Sequence, residues 1–279
     1  MKMSIKCIVL DLDRTTLDRE GRLSAENRKT LEELIARGIE VVIASGRAYE
    51  TLPADMMAVE GIRYAVCCNG ATVYDVPTGQ CIRRCLLSPD AVETVLSVTA
   101  DELVSYEGFI DGTAYAGREY IENPVKYGAT LQAVAYVQST RHMQEDIVAF
   151  LRDNKNRLDS MDVIVKDNES KVRIWDKISK ETQEVYITSS VSQLIEIADQ
   201  DAGKKAGVEF VADRLGLNRE EIAAFGDADN DIDMLQYAGI GIAMENASEG
   251  CKAAADYITT HHAENGVSYG VREILKLLP

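Results

Sequence analysis

Short apolar runs alternate with helix-compatible stretches at both ends of the chain, and the first run sets the rhythm. Ile5-Lys6-Cys7-Ile8-Val9-Leu10 is brief and nearly continuous, the pattern of a strand buried on both faces. It stops abruptly on Asp11-Leu12-Asp13. Ser24 is the expected N-cap, and Gly38 the expected stop, of a helix whose apolar stripe is Leu31, Leu34 and Ile35. Residues 39–44 form a second strand ending on Ser45-Gly46-Arg47, so strand, helix and strand predict a right-handed parallel βαβ unit. A third strand over 64–68 ends on Asn69-Gly70. In an open α/β sheet, ligands bind at such strand ends.

The rhythm then changes. Residues 71–75 and 80–87 flank Val76-Pro77-Thr78-Gly79, a hairpin turn, and Ser88-Pro89-Asp90 opens a helix. Residues 102–116 read as two strands broken at Gly108, 143–153 as a helix, and 161–165, 171–176 and 184–189 as strands. Without a repeated βαβ unit, this middle third predicts an inserted α+β domain over 85–194. The rhythm resumes after Leu194-Ile195-Glu196-Ile197, with helices over 204–214, through Met234 and Leu235, over 249–255 and over 266–278. Strands over 222–226, 239–243 and 256–260 alternate with them. The expected fold class is α/β, a parallel-sheet core built from 1–84 and 195–279.

Composition narrows the function. An apolar content of 46% and a charged content of 27% in 279 residues suit a globular protein. A net charge of -16 argues against nucleic acid as the main partner, since binding its backbone needs clustered Lys and Arg. A small phosphorylated ligand stays compatible, because one metal ion and one lysine can reverse the local field. No apolar run is long enough to span a bilayer, and Met1-Lys2-Met3-Ser4 leads into the first strand without a signal segment. The expectation is a cytoplasmic protein, with no membrane partner, as monomer or homodimer. Cys7, Cys67, Cys68, Cys81, Cys85 and Cys251 include no Cys-x-x-Cys pair and predict reduced thiols. His142, His261 and His262 lack zinc-ligand spacing to them.

Four separated pieces carry the candidate chemistry. Asp11 and Asp13 end the first strand, and Ser45 ends the second. Lys204 begins a helix, and Asp227, Asn230 and Asp231 follow a later strand. Two acids at a buried strand end repel each other and resist desolvation, and a divalent cation offsets both costs. Mg2+ prefers such hard oxygen ligands and often shares them with a substrate phosphate. An aspartate can attack phosphorus and form an aspartyl-phosphate, while a lysine and a hydroxyl hold the transferring oxygens. Taken singly, Asp-x-Asp reads as a capped turn, Ser45-Gly46 as loop chemistry and Lys204-Lys205 as a solvated helix start. Gly226-Asp227-Ala228-Asp229-Asn230-Asp231 also suits a calcium loop or helix caps. Their order, each after a strand, is what joins them.

As a set, these residues resemble the haloacid dehalogenase superfamily. Asp11-Leu12-Asp13-Arg14-Thr15-Thr16-Leu17 is similar to its Asp-x-Asp-Gly-Thr-Leu motif. Ala44-Ser45-Gly46-Arg47, Lys204 and the run from Gly226 to Leu235 match its other three motifs in order. Ala243-Met244-Glu245-Asn246-Ala247, Ala255-Asp256-Tyr257-Ile258-Thr259 and Asn265-Gly266-Val267 are similar to the tail of its Cof-like phosphatases. The resemblance implies a Rossmann-like core with a large type-2 (C2B) cap inserted, closing to exclude water and read the substrate. It implies Asp11 as nucleophile, Asp13 as general acid and then base, and Mg2+ on Asp11, the Asp13 carbonyl and Asp227. Ser45, Lys204, Asn230 and the backbone at Leu12 and Gly46 would hold the phosphoryl group, with Asp231 orienting Lys204 or a metal-bound water. Counting back from Leu215-Gly216-Leu217 selects Lys204 over Lys205.

The implied activity is Mg2+-dependent hydrolysis of a small phosphomonoester, a sugar phosphate or related metabolite. A phosphomutase of the same superfamily and a non-catalytic phospho-ligand sensor are its rivals. Arg47, Asn69, Tyr115 and Arg118 are candidate substrate contacts, with Tyr120 and Lys126 in the same polar, aromatic stretch. Two positions depart from the motif: Arg14 stands for glycine and Thr16 for leucine. If position 14 needs φ > 0, Arg14 is strained there; otherwise it places a cation near the phosphate.

Overall fold

β1 (Cys7–Leu10) through β14 (Tyr257–Ile258) form two sheets in a computed structural model that describes residues 5–279. The reading of Met1-Lys2-Met3-Ser4 lies outside the described residues. In chain order the next strands are β2 (Glu40–Ala44), β3 (Tyr64–Cys67), β4 (Thr72–Asp75) and β5 (Gln80–Arg84). Then come β6 (Val104–Ile110), β7 (Thr113–Gly117), β8 (His142–Gln144), β9 (Ser160–Val165), β10 (Val185–Thr188) and β11 (Leu194–Asp199). β12 (Ile222–Gly226) and β13 (Ile240–Ala243) precede the last strand.

The chain divides into two compact units. The first comprises Met1–Arg47, Leu52–Arg83 and Gly203–Pro279. Its sheet runs β14-β13-β12-β1-β2-β3-β4-β5. β14 to β3 pair in parallel, and β3 pairs with β4 antiparallel. β1 is central and buried throughout, which explains its unbroken apolar run. Cys7, Val9, Val42, Val66 and Ala224 share a core with Val208, Val211 and Ala212 of the helix Lys204–Leu215. That helix sits close because Gly207 has no Cβ, which would meet Val66 Cγ1 at 2.4 Å. Ser24 caps the helix Ala25–Ala36 as expected, accepting from the Asn27 N–H at 3.1 Å.

The second unit comprises Ala48–Thr51 and Arg84–Ala202, with sheet order β10-β11-β9-β6-β7-β8. Its pairs are antiparallel except β7 with β8. Four readings change here. The expected strand over 171–176 is part of a helix, Asn168–Glu181. Asp167 caps it by accepting from Ser170 N at 2.8 Å, and Ile174 and Ile178 bury one stripe, so a capped period of four overrides the local alternation. The break between β6 and β7 is at Asp111-Gly112, not Gly108. Both residues have positive φ, 52° and 82°, the requirement of a two-residue primed turn. The expected helix over 143–153 starts only at Ile147, capped by Asp146, after β8. Finally, the expected boundary at 194/195 falls inside β11, which pairs with β9 and β10, so residues through Ala202 group with the second unit.

Candidate active site

β1 delivers Asp11 to the end of the parallel sheet, where its N–H donates to the Phe225 carbonyl of β12 at 3.1 Å. The backbone then turns sharply. Arg14 takes φ 60° and ψ 11°, and the Thr16 hydroxyl closes the turn by donating to the Asp11 carbonyl at 2.6 Å. β12 delivers Asp227 beside it, and the loop after β12 supplies Asn230 and Asp231. Asp11, Asp227 and Asp231 are buried, with one oxygen from each lying within 4.8 Å of the others.

Lys204 is the positive centre of this group. Its side chain is fully buried, whereas Lys205 is exposed. Lys204 Nζ donates to Asp11 Oδ1 at 2.7 Å and to Asp231 Oδ1 at 2.6 Å. Asp231 Oδ2 accepts from the N–H groups of Asp227 and Ala228 at 2.9 and 3.1 Å, so one carboxylate ties the lysine to the β12 loop. Gly226 permits this, since a Cβ there would lie 2.5 Å from Asp231 Cβ. Two further glycines set the lysine's position. Gly203 N donates to Asn69 O at 2.9 Å, and a Cβ on Gly70 would lie 1.9 Å from Gly203 O.

Three buried acids cluster around one lysine that bonds two of them, so negative charge is in excess. Burial pushes the Asp11 carboxyl up to about 7, against the pull of Lys204. Burial, reinforced by Asp11 and Asp231, pushes Asp227 up to about 8. Burial opposes the Lys204 ammonium, but Asp11 and Asp231 outweigh it and hold its pKa above the usual value. Asp227 Oδ1 accepts from the Thr15 hydroxyl at 3.3 Å, while Asp227 Oδ2 is buried and accepts no hydrogen bond. An orphaned carboxylate oxygen in an all-oxygen cluster fits a hard divalent cation. Among the described residues, Asp11 Oδ2 also receives no hydrogen bond from the protein.

The other expected residues are placed as follows. The Asp13 carboxylate is held by Arg47, whose Nε and Nη2 donate to its two oxygens at 2.7 Å each. Ser45 is buried and its hydroxyl accepts from Arg47 N at 3.2 Å. Leu12 is buried and Gly46 half-buried. Asn230 Nδ2 donates to Asn69 Oδ1 at 3.0 Å, leaving Asn230 Oδ1 buried without a partner. Tyr115, Arg118, Tyr120 and Lys126 belong to the second unit. Tyr115 lies against Phe150, ring centroids 4.7 Å apart. Arg118 pairs with Glu122 and Glu145, and Lys126 with Glu119. Tyr120 is buried beside Ile164.

Sequence reasoning missed Thr15 as a partner of Asp227, the clamp of Arg47 on Asp13, and Asn246. Asn246 Nδ2 donates to the Arg14 carbonyl at 2.9 Å, and Arg14 Nη2 donates to the Asn246 carbonyl at 3.2 Å. The Asn246 partnership spans 232 positions, and nothing in either local stretch announces it.

Comparison with known proteins gives the family. Residues 8–271 match the family described as haloacid dehalogenase-like hydrolase. The phosphatase YwpJ of Bacillus subtilis is 29% identical, over 97% of this chain and all of the relative. The 5-amino-6-(5-phospho-D-ribitylamino)uracil phosphatase YcsE of the same organism is 27% identical, over 97% of this chain and 96% of the relative. A solved haloacid dehalogenase-like hydrolase from B. subtilis superposes with a TM-score of 0.85 at 27% identity, covering 97% of this chain and all of that one. A family match over nearly the whole chain, together with the shared fold, makes this chain a member of the haloacid dehalogenase-like hydrolase family.

Proposed function

We propose that the protein is a Mg2+-dependent phosphomonoester hydrolase that works through an aspartyl-phosphate on Asp11. The observation that carries the reading is the state of Asp11. Lys204 holds Oδ1, and among the described residues no hydrogen bond reaches Oδ2, at the end of a central strand. Asp11, the Asp13 carbonyl and Asp227 would hold Mg2+, which when bound supplies positive charge against the phosphoryl oxygens.

In this reading Asp11 Oδ2 attacks phosphorus in line, the ester P–O bond breaks, and the Asp13 carboxyl gives its proton to the departing alkoxide. Asp13 then takes a proton from water, which attacks the same phosphorus. The bond to Asp11 breaks and inorganic phosphate leaves. Lys204, the Ser45 hydroxyl, the Asn230 amide and the N–H groups of Leu12 and Gly46 hold the equatorial oxygens. Asp231 keeps Lys204 aimed at Asp11, at 2.6 and 2.7 Å respectively. The Arg47 clamp stabilises ionised Asp13, the form that activates water, so donation to the leaving group requires Asp13 to leave Arg47.

The substrate class is a small phosphorylated metabolite, in line with the phosphorylated ribityl compound in the name of one relative. A core carrying the chemistry, an inserted unit carrying substrate choice, a monomer or homodimer and a cytoplasmic setting belong to the same reading. Phosphate release from a panel of sugar phosphates and ribityl phosphates, with and without Mg2+, tests it. Release that needs Mg2+ and vanishes in Asp11→Asn is expected. Isomerised sugar phosphate without free phosphate would sink the hydrolase reading in favour of a mutase.

A further inference from the structure

Arg14 stands where the family motif has glycine. Its φ of 60° and ψ of 11° lie in the left-handed region, which disfavours arginine. The side chain gives this placement a consequence. Arg14 Nε lies 3.6 Å from Asp227 Oδ2, the buried oxygen that accepts no hydrogen bond. Reciprocal hydrogen bonds with Asn246, at 2.9 and 3.2 Å, tether Arg14 there, and Asn246 Oδ1 accepts from His262 N at 3.0 Å. The guanidinium therefore lies beside the carboxylate oxygen that a divalent cation would take, in a turn whose positive φ suits glycine better than arginine.

We propose that Arg14 competes with the divalent cation for Asp227, so that this chain binds its cation more weakly than glycine at the same position would allow. The inference rests on the reading of Asp227 as a cation ligand. Two effects act in one direction. The guanidinium must give up its attraction to Asp227 as the cation arrives. It also repels the cation at short range, an effect that solvent weakens because the Arg14 side chain is 54% exposed.

Isothermal titration of chelator-treated protein with MgCl2, and separately with MnCl2, tests the proposal without any substrate. Arg14→Gly removes charge and strain together. Arg14→Gln removes the charge and keeps a residue disfavoured in the left-handed region. Both are expected to tighten cation binding at least about threefold. Unchanged or weaker binding in the glutamine variant overturns the proposal, and tightening in the glycine variant alone would assign the effect to backbone strain instead. Asp227→Asn separates the two readings. If it binds Mg2+ as wild type does, the assignment of Asp227 fails. If it loses Mg2+ while both Arg14 variants match wild type, only the competition fails. Circular dichroism of each variant establishes that it is folded.

Discussion

Lys204 is the residue on which the site's electrostatics depend, because it is a fully buried ammonium facing two buried carboxylates. Removing one partner of such a group strands the rest in a low dielectric. Lys204→Met is therefore expected to lose about 3–5 kcal/mol in denaturant unfolding. It is also expected to lower kcat by about a hundredfold or more, through lost stabilisation of the phosphoryl oxygens. A variant with wild-type stability would contradict the burial of the charge. At this scale the sequence was informative wherever a residue's neighbours lie close along the chain. Asp11, Ser45, Asp227 and Asn230 stand out because each ends or follows a buried strand. Arg47 on Asp13 did not, because both lie in loops and only the pairing of β1 with β2 brings those loops together. Arg14 carried a choice between strain and a cation near the phosphate; its positive φ decides for strain, and its guanidinium lies beside Asp227. Holding an arginine in the left-handed region costs about 1–2 kcal/mol.

At the scale of elements, glycines decide where the buried charged groups of the candidate site stand. The Lys204 helix begins at Gly203, which touches Gly70 in the turn after β3. Gly70→Ala adds a Cβ that would lie 1.9 Å from Gly203 O, at a φ of 89° that alanine resists. The start of the helix must move, and Lys204 with it. A fall in kcat of about tenfold or more is expected, with a loss of about 1–3 kcal/mol in stability. A second element-level prediction concerns the start of β9. Asp159 is buried there with Arg84 Nε 3.2 Å away, and burial still pushes its carboxyl up to about 6. A raised carboxyl favours the protonated fold, so the stability it contributes is complete below its ordinary value of about 4 and is lost as pH rises through 6. Asp159→Asn should therefore melt higher than wild type at pH 8, with the difference shrinking towards pH 4. An equal difference at both pH values would contradict this. The helix over Asn168–Glu181 shows why such elements were harder to read. Lys171-Val172-Arg173-Ile174-Trp175-Asp176 alternates like a strand, and the deciding signals, the Asp167 cap and Ile178, lie outside that window.

At the scale of the whole molecule, the division into two units follows strand pairing rather than chain order. The first unit's parallel sheet was legible because βαβ units leave a regular spacing of apolar runs. The placement of β11 was not, because its apolar run suits either sheet, and only pairing with β9, Leu194 opposite Ile164, assigns it. The surplus of negative charge, -16 over the chain, makes the local positive charge of Lys204 and Arg14 all the more consequential for an anionic substrate. No helix among the described residues is long and apolar enough to cross a membrane. The account as a whole stands on one covalent event, the transfer of a phosphoryl group to Asp11. Borohydride added during turnover reduces an acyl phosphate to the alcohol, so that mass spectrometry of the peptide containing Asp11 reads the event directly. The account predicts homoserine at position 11, appearing only with a substrate that releases phosphate and Mg2+ present. Turnover of that substrate with the modification at another residue, or undiminished turnover in Asp11→Asn, would contradict it.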